Sequence, residues 1–111
     1  MKHEMKLNNG PYLKIEDGTK TVELRLNDEK RKLLKIKDLI EFTNRTTNEK
    51  MIVEIEDLCY CPSFEELYKH FDKVSMGYDE EETANPKDME KYYSKEVQDK
   101  YGVLGIKIRK L

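Results

Sequence analysis

The chain has no tryptophan, only two cysteines and no apolar run approaching the length of a membrane span. Each shortage excludes something. Crossing a bilayer as a helix takes roughly 18 or more consecutive apolar residues, so no membrane partner is expected. The first residues lack the apolar stretch of a secretory signal, and the protein is expected to be soluble and cytoplasmic. Cys59 and Cys61 make a single Cys-x-Cys, and His3 and His70 stand alone in the sequence. Structural zinc sites take four ligands, usually with a wider Cys-Cys spacing. We therefore expect no metal and no cofactor. Residues two apart on a strand are awkwardly placed for a disulfide, and two reduced thiols suit a reducing compartment. Gly-rich phosphate loops, Ser-His-Asp patterns and Cys-His patterns are missing too. Neither sign of charge prevails: 21 basic and 23 acidic residues leave −2. No global positive field would draw nucleic acid, so any such contact must come from a local patch.

What the chain does have is charge and periodicity. Of its 111 residues 40% are charged and 37% hydrophobic. That length suits one domain, residues 1–111, with one core. The apolar residues recur with regular spacing, which argues against disorder. His3–Leu7 reads as a strand. Pro11–Asp17 reads as a short helix ended by Gly18. Residues 39–43 and 51–58 alternate like a hairpin around an Asn/Thr-rich turn, and 103–109 alternates like a last strand. Ser63 and Glu66 form a capping box before Phe64, Leu67, Tyr68 and Phe71, an apolar helical stripe read as core. Residues 76–85 hold four consecutive acids, Asp79–Glu82, and read as a mobile loop. Asn85 and Ser94 are candidate helix caps. Lys30, Arg31, Lys32, Lys35 and Lys37 form a basic run, read as a solvated helix face opposite Leu33, Leu34 and Ile36. The sum is α+β, a small mixed β-barrel of about five strands with short helices between and flanking them.

The most informative stretch is Gly18-Thr19-Lys20-Thr21-Val22-Glu23-Leu24-Arg25. Val22, Leu24 and Leu26 alternate with Thr21, Glu23, Arg25 and Asn27. The apolar set is expected to face the core. The polar set lines up an acid and a base along one face, with Lys20 where the strand begins. An antiparallel sheet with one wet face shows the same alternation with no function at all. Lys20 is expected to be a surface residue whose loss weakens ligand binding and leaves stability nearly unchanged.

This Gly-x-Lys-Thr-x-Glu-x-Arg segment resembles the signature of the ASCH domain family, whose fold is similar to the PUA β-barrel. The short first strand, the helix-like run before Gly18, Lys37-Asp38-Leu39-Ile40 and the closing Gly102–Ile106 fit the same pattern. The resemblance implies a cleft beside the motif that binds RNA or a nucleotide. One branch with a similar fold is catalytic, an N4-acetylcytidine amidohydrolase that uses a Lys, a Thr three residues later and a more distant Glu. Lys20 matches that Lys, but the Thr position is Glu23.

Three functions compete. A binding module would use Lys20, Thr21, Glu23 and Arg25 for polar groups, with Tyr78 and Tyr93 as a wall for a base. A small amidohydrolase would use Lys20 and Glu23 as its catalytic pair. A regulatory domain would present its acidic loop to a basic partner.

Overall fold

The computed structural model describes Met1–Leu111. Five strands form one sheet: β1 Lys2–Leu7, β2 Val22–Leu26, β3 Leu39–Asn44, β4 Lys50–Cys61 and β5 Val103–Lys110. Their order is β1-β3-β4-β5-β2. β1 runs parallel to β3, and every other pair is antiparallel. The expected α+β class and the mixed sheet are both present, but the sheet curls into a half-barrel rather than closing. β4 and β5 are the longest pair, and a register shift between Ile55 and Asp57 bends them. β1 and β2 are left as the two edges.

Short helices decorate the sheet. α1 (Asn9–Glu16) links the two edge strands and stops before Gly18, at φ +88°. It begins two residues ahead of Pro11, earlier than the Pro11 start expected. α2 (Phe64–Leu67) begins at Ser63, whose hydroxyl accepts from the Glu66 N–H. It is one turn, not the longer helix the stripe suggests. Asp72 draws the chain into a local turn by accepting from the Ser75 N–H at 2.7 Å, an alternative to helical bonding. Asn85 caps a 3-10 helix (Pro86–Lys91), and Ser94 caps α3 (Lys95–Tyr101). The basic run also departs from expectation. Only Arg31–Leu33 is helical, as a 3-10 turn, and Leu34 is already extended. Leu34 is buried, but Leu33 and Ile36 are 62% and 51% exposed. A single tight turn cannot put three apolar residues on one face.

Two apolar clusters lie on opposite faces of the sheet. The first contains Met5, Leu7, Ile40, Phe42, Met51, Val53, Ile55, Leu104, Ile106 and Ile108, joined by Tyr12 and Ile15 of α1. The second gathers Val22, Leu24, Leu26 and Val103 under Phe64, Leu67, Met76 and Met89. Val22, Leu24, Val53, Ile106 and Ile108 are all buried, as expected, but not together. Cross-strand partners share a face. Leu24 is paired with Gly105 and Leu26 with Val103, whereas Glu23 is paired with Ile106 and Arg25 with Leu104. The apolar side of β2 therefore packs under the helical segments. Its polar side shares the face of the first cluster. Gly105 allows this layering: a Cβ there would come within 3.1 Å of Phe71 and 3.2 Å of Leu67.

Candidate functional site

The polar face of β2 is not wet. Glu23 is only 4% exposed, and Lys20 is buried beside it. Lys20 Nζ lies 2.9 Å from Glu23 Oε1. Arg25 grips the other carboxylate oxygen, Oε2, with Nε at 2.8 Å and Nη2 at 2.7 Å. Side chains two apart would stand about 7 Å apart if parallel; here they converge into one buried cation–anion–cation cluster. Burial pushes the Glu23 carboxyl up, but Lys20 and Arg25 outweigh it and bring it down to about 2. Burial also disfavours the Arg25 charge, and the Glu23 and Tyr93 oxygens beside it raise its pKa nonetheless. Lys20 and Glu23 are thus structural in burial, against the expectation of a surface lysine.

Arg25 has a further role. Its Nη2 donates to the Lys6 carbonyl at 2.9 Å. Lys6 belongs to β1 and Arg25 to β2, so the guanidinium bridges the two edges of the half-barrel. The ion cluster sits at the open seam of the sheet.

A cleft of about 670 Å³ opens there. Its floor is Lys20, Glu23 and Arg25, and its sides come from α1 and from the chain between Tyr68 and Tyr93. Of the sequence candidates, Lys20, Glu23, Arg25, Tyr78 and Tyr93 all line it, and Thr21 does not. Thr21 serves through its backbone, donating to Ser75 O and accepting from the Ile108 N–H. The cleft also takes in Lys6, Lys14, Arg45, Tyr68, Gly77, Asp88 and Tyr92, which sequence reasoning did not assign to it. Tyr68 was concealed by its place in an apolar stripe.

The wall is braced by hydroxyls. Tyr78 Oη lies 2.8 Å from Asp88 Oδ2, to which it donates, and 2.9 Å from Tyr68 Oη. Burial raises the pKa of both tyrosines. The ring of Tyr93 stacks against Phe64. Tyr92 is different: the residue lines the cleft and is 62% exposed. Gly77 presses on the floor. A Cβ there would meet Lys20 Cδ at 3.1 Å, and its φ of +108° suits glycine.

The segment 76–85, read from sequence as a mobile loop, is tied down at many points. Met76 is buried. Lys14 Nζ donates to the Gly77 carbonyl and pairs with Asp79 at 2.9 Å. Lys73 Nζ donates to the carbonyls of Glu80 and Glu82. Glu80 and Glu82 are held through their backbone carbonyls and Asp79 through its carboxylate, which a count of side-chain charges does not reveal.

A second cavity of about 390 Å³ adjoins the cleft and shares Lys6, Arg25 and Arg45 with it. Lys30, Arg31 and Lys50 line the rest, against Glu4 and Glu41. Arg31 Nε is buried there without a hydrogen-bond partner in the protein.

Cysteine chemistry lies elsewhere. Cys59 and Cys61 are free thiols. Burial, with the contact from Cys59, pushes the Cys61 thiol up to about 11, which leaves it a poor nucleophile at neutral pH. His70, isolated in sequence, stands beside both.

Comparison with known proteins places this geometry. The family model described as ASCH domain matches residues 5–111. A crystal structure of the hypothetical protein PH0355 superimposes with a TM-score of 0.85 at 27% identity, covering 100% of both chains. The solution structure of protein PF0455 from Pyrococcus furiosus gives 0.78 at 27% identity, covering 100% of this chain and 98% of that one. A mutant ZmASCH protein from Zymomonas mobilis gives 0.70 at 15% identity, covering 97% of this chain and 67% of that one, and supports the fold alone. None of the curated proteins compared with the chain matches it.

Proposed function

This chain belongs to the ASCH domain family, a family associated with RNA binding, and we propose that it binds single-stranded RNA at the seam of the half-barrel. One base enters the tyrosine-walled cleft, and the phosphates on one side of it run along the adjoining basic cavity. The observation that carries this reading is the sharing of Lys6, Arg25 and Arg45 between the two cavities. A site for a free nucleoside needs only the first. A strand needs a continuous track for its charge. Six basic side chains and two acidic ones line the second cavity of a chain whose net charge is −2; Arg25, Arg31 and Lys50 are paired with carboxylates, and Lys6, Lys30 and Arg45 supply the local positive charge. Tyr92 is the ring free to stack, because Tyr68, Tyr78 and Tyr93 are engaged with neighbours.

The rival reading, an amidohydrolase using Lys20 and Glu23, has less support. A general base works best with a pKa near the operating pH, and Glu23 is held at about 2 with both oxygens occupied by cations. Nor is it a substitute for the Thr nucleophile of the hydrolases. It is structural charge that shapes the cleft floor.

The test is fluorescence anisotropy of a labelled single-stranded RNA oligonucleotide, with cytidine monophosphate as competitor. We expect RNA to bind far more tightly than the mononucleotide. Arg45→Ala and Lys50→Ala should each flatten the dependence of log affinity on log salt by about 0.7. Tyr92→Ala should cost about 1–3 kcal/mol at all salt concentrations. Equal affinity for RNA and mononucleotide would limit the site to a single nucleotide. Rapid release of cytidine from N4-acetylcytidine by the parent protein would restore the hydrolase.

A further inference from the structure

Outside the cleft, the side chains of Cys59, Cys61 and His70 come together with their ligand atoms all within 4.8 Å of one another. We propose that these three residues form a zinc site that pins the end of β4 to the turn after α2. The case rests on spacing. Cys59 and Cys61 sit two apart near the end of β4, where parallel side chains would stand about 7 Å apart. Their sulfurs instead converge to 3.8 Å. Two thiolates each about 2.3 Å from one tetrahedral zinc lie about 3.8 Å from each other, so the pair already has the bite of a tetrahedral edge. A zinc-bound imidazole nitrogen would lie about 3.5 Å from each sulfur. His70 therefore has to approach by little more than 1 Å, and its exposed side chain is free to turn.

The surroundings suit the chemistry. One side of the thiol pair packs against the apolar cluster beneath α2, which shields the zinc–sulfur bonds. The other side is open toward His70. The fourth position falls to water. Two thiols give up their protons to solvent, and two Zn–S bonds and one Zn–N bond form; no oxidant is involved. The borderline-soft donor set of two sulfurs and one imidazole favours zinc over magnesium or calcium, which take oxygen. The site also bears on the cleft. Tyr68 lies two residues before His70 and lines the cleft wall, so a bound metal would stiffen the segment that holds it.

The experiment uses the full chain, reduced and stripped with chelator. It is titrated with cobalt(II) as a spectroscopic probe, then with zinc in competition against a chromogenic chelator. One equivalent of cobalt should give intense tetrahedral d–d bands and a thiolate-to-cobalt charge-transfer band, both displaced by zinc. The charge-transfer band should vanish in Cys59→Ser/Cys61→Ser. His70→Ala is the variant that cannot be dismissed as misfolded, because its side chain is exposed. It should weaken zinc by at least about tenfold, since even a residue behind the ligands is worth about 10–100-fold. Zinc should also raise the melting temperature of the parent and not that of the double cysteine variant. Cobalt spectra of octahedral type without thiolate bands would overturn the proposal and leave a simple thiol–thiol contact. Full zinc affinity in His70→Ala would overturn the three-residue site.

Discussion

β2 and β4 carry the same period-two alternation and use it differently. On β4, Met51, Val53 and Ile55 are buried, while Ile52, Glu54 and Glu56 face outward. That is the ordinary arrangement of a half-wet sheet. On β2 both faces are covered. Val22, Leu24 and Leu26 lie under the helical segments, and Glu23 is buried in the seam with Lys20 and Arg25. Alternation reports the pleat of a strand. Whether its polar side meets water depends on what the rest of the chain lays over it. β4 lies in the middle of the sheet; β2 is an edge, and α1 and the chain from Tyr68 to Tyr93 close over it. The cleft exists because an edge strand was covered incompletely.

The largest effect should come from breaking the β2 cluster at its centre. Glu23→Gln removes one buried anion and strands two cations. Leaving buried charge uncompensated costs about 3–5 kcal/mol, read as a shift in the denaturant midpoint. The same carboxyl sets an acid limb. Its folded pKa, about 2, lies below its ordinary value of 4.5. Its contribution is therefore fully present above about pH 4.5 and is lost as pH falls from 4.5 toward 2. The parent should lose stability steeply across that window, and the variant's profile should be flatter there. Equal acid limbs in the two proteins would mean that Glu23 is not the group responsible.

Lys20→Ala should cost less, about 1–3 kcal/mol, because Arg25 still holds Glu23 through both Nε and Nη2. This reverses the expectation of a surface lysine. Sequence placed Lys20 correctly at the head of β2 but had no way to register Gly77 closing on its stem. The same limit explains what else was hidden. The strands, the Ser63, Asn85 and Ser94 caps and the β2 motif were legible, because each depends on residues within a few positions. The tyrosine wall, the Lys73 clamp on the acidic loop, the exposure of Leu33 and the meeting of His70 with Cys59 and Cys61 were not. Each joins segments whose approach is set by the tertiary fold or by a turn too short to have a period. The motif thus pointed to the site's floor, while its walls came from elsewhere in the chain.

The smallest effect should fall on β4. Glu54 lies directly across from Arg109 of β5, with Arg109 Nη2 at 3.0 Å from its carboxylate. The distance hardly differs from that between Lys20 and Glu23. The surroundings do: the Arg109 side chain is 55% exposed and that of Glu54 24%. In water the attraction is weak and ions screen it further, and when the pair is broken both partners regain hydration. Glu54→Gln should therefore change stability by less than about 1 kcal/mol. Raising the salt to 1 M should shrink even that, while leaving most of the Glu23→Gln penalty in place, since buried charges are screened much less. Denaturant titrations of both variants and the parent at low and high salt make the comparison. If Glu54→Gln costs as much as Glu23→Gln, or if salt erases both penalties alike, the contrast between the covered edge strand and the half-wet central strand does not hold. Depth of burial, rather than the distance between charges, would then have to be abandoned as what separates the two ion pairs.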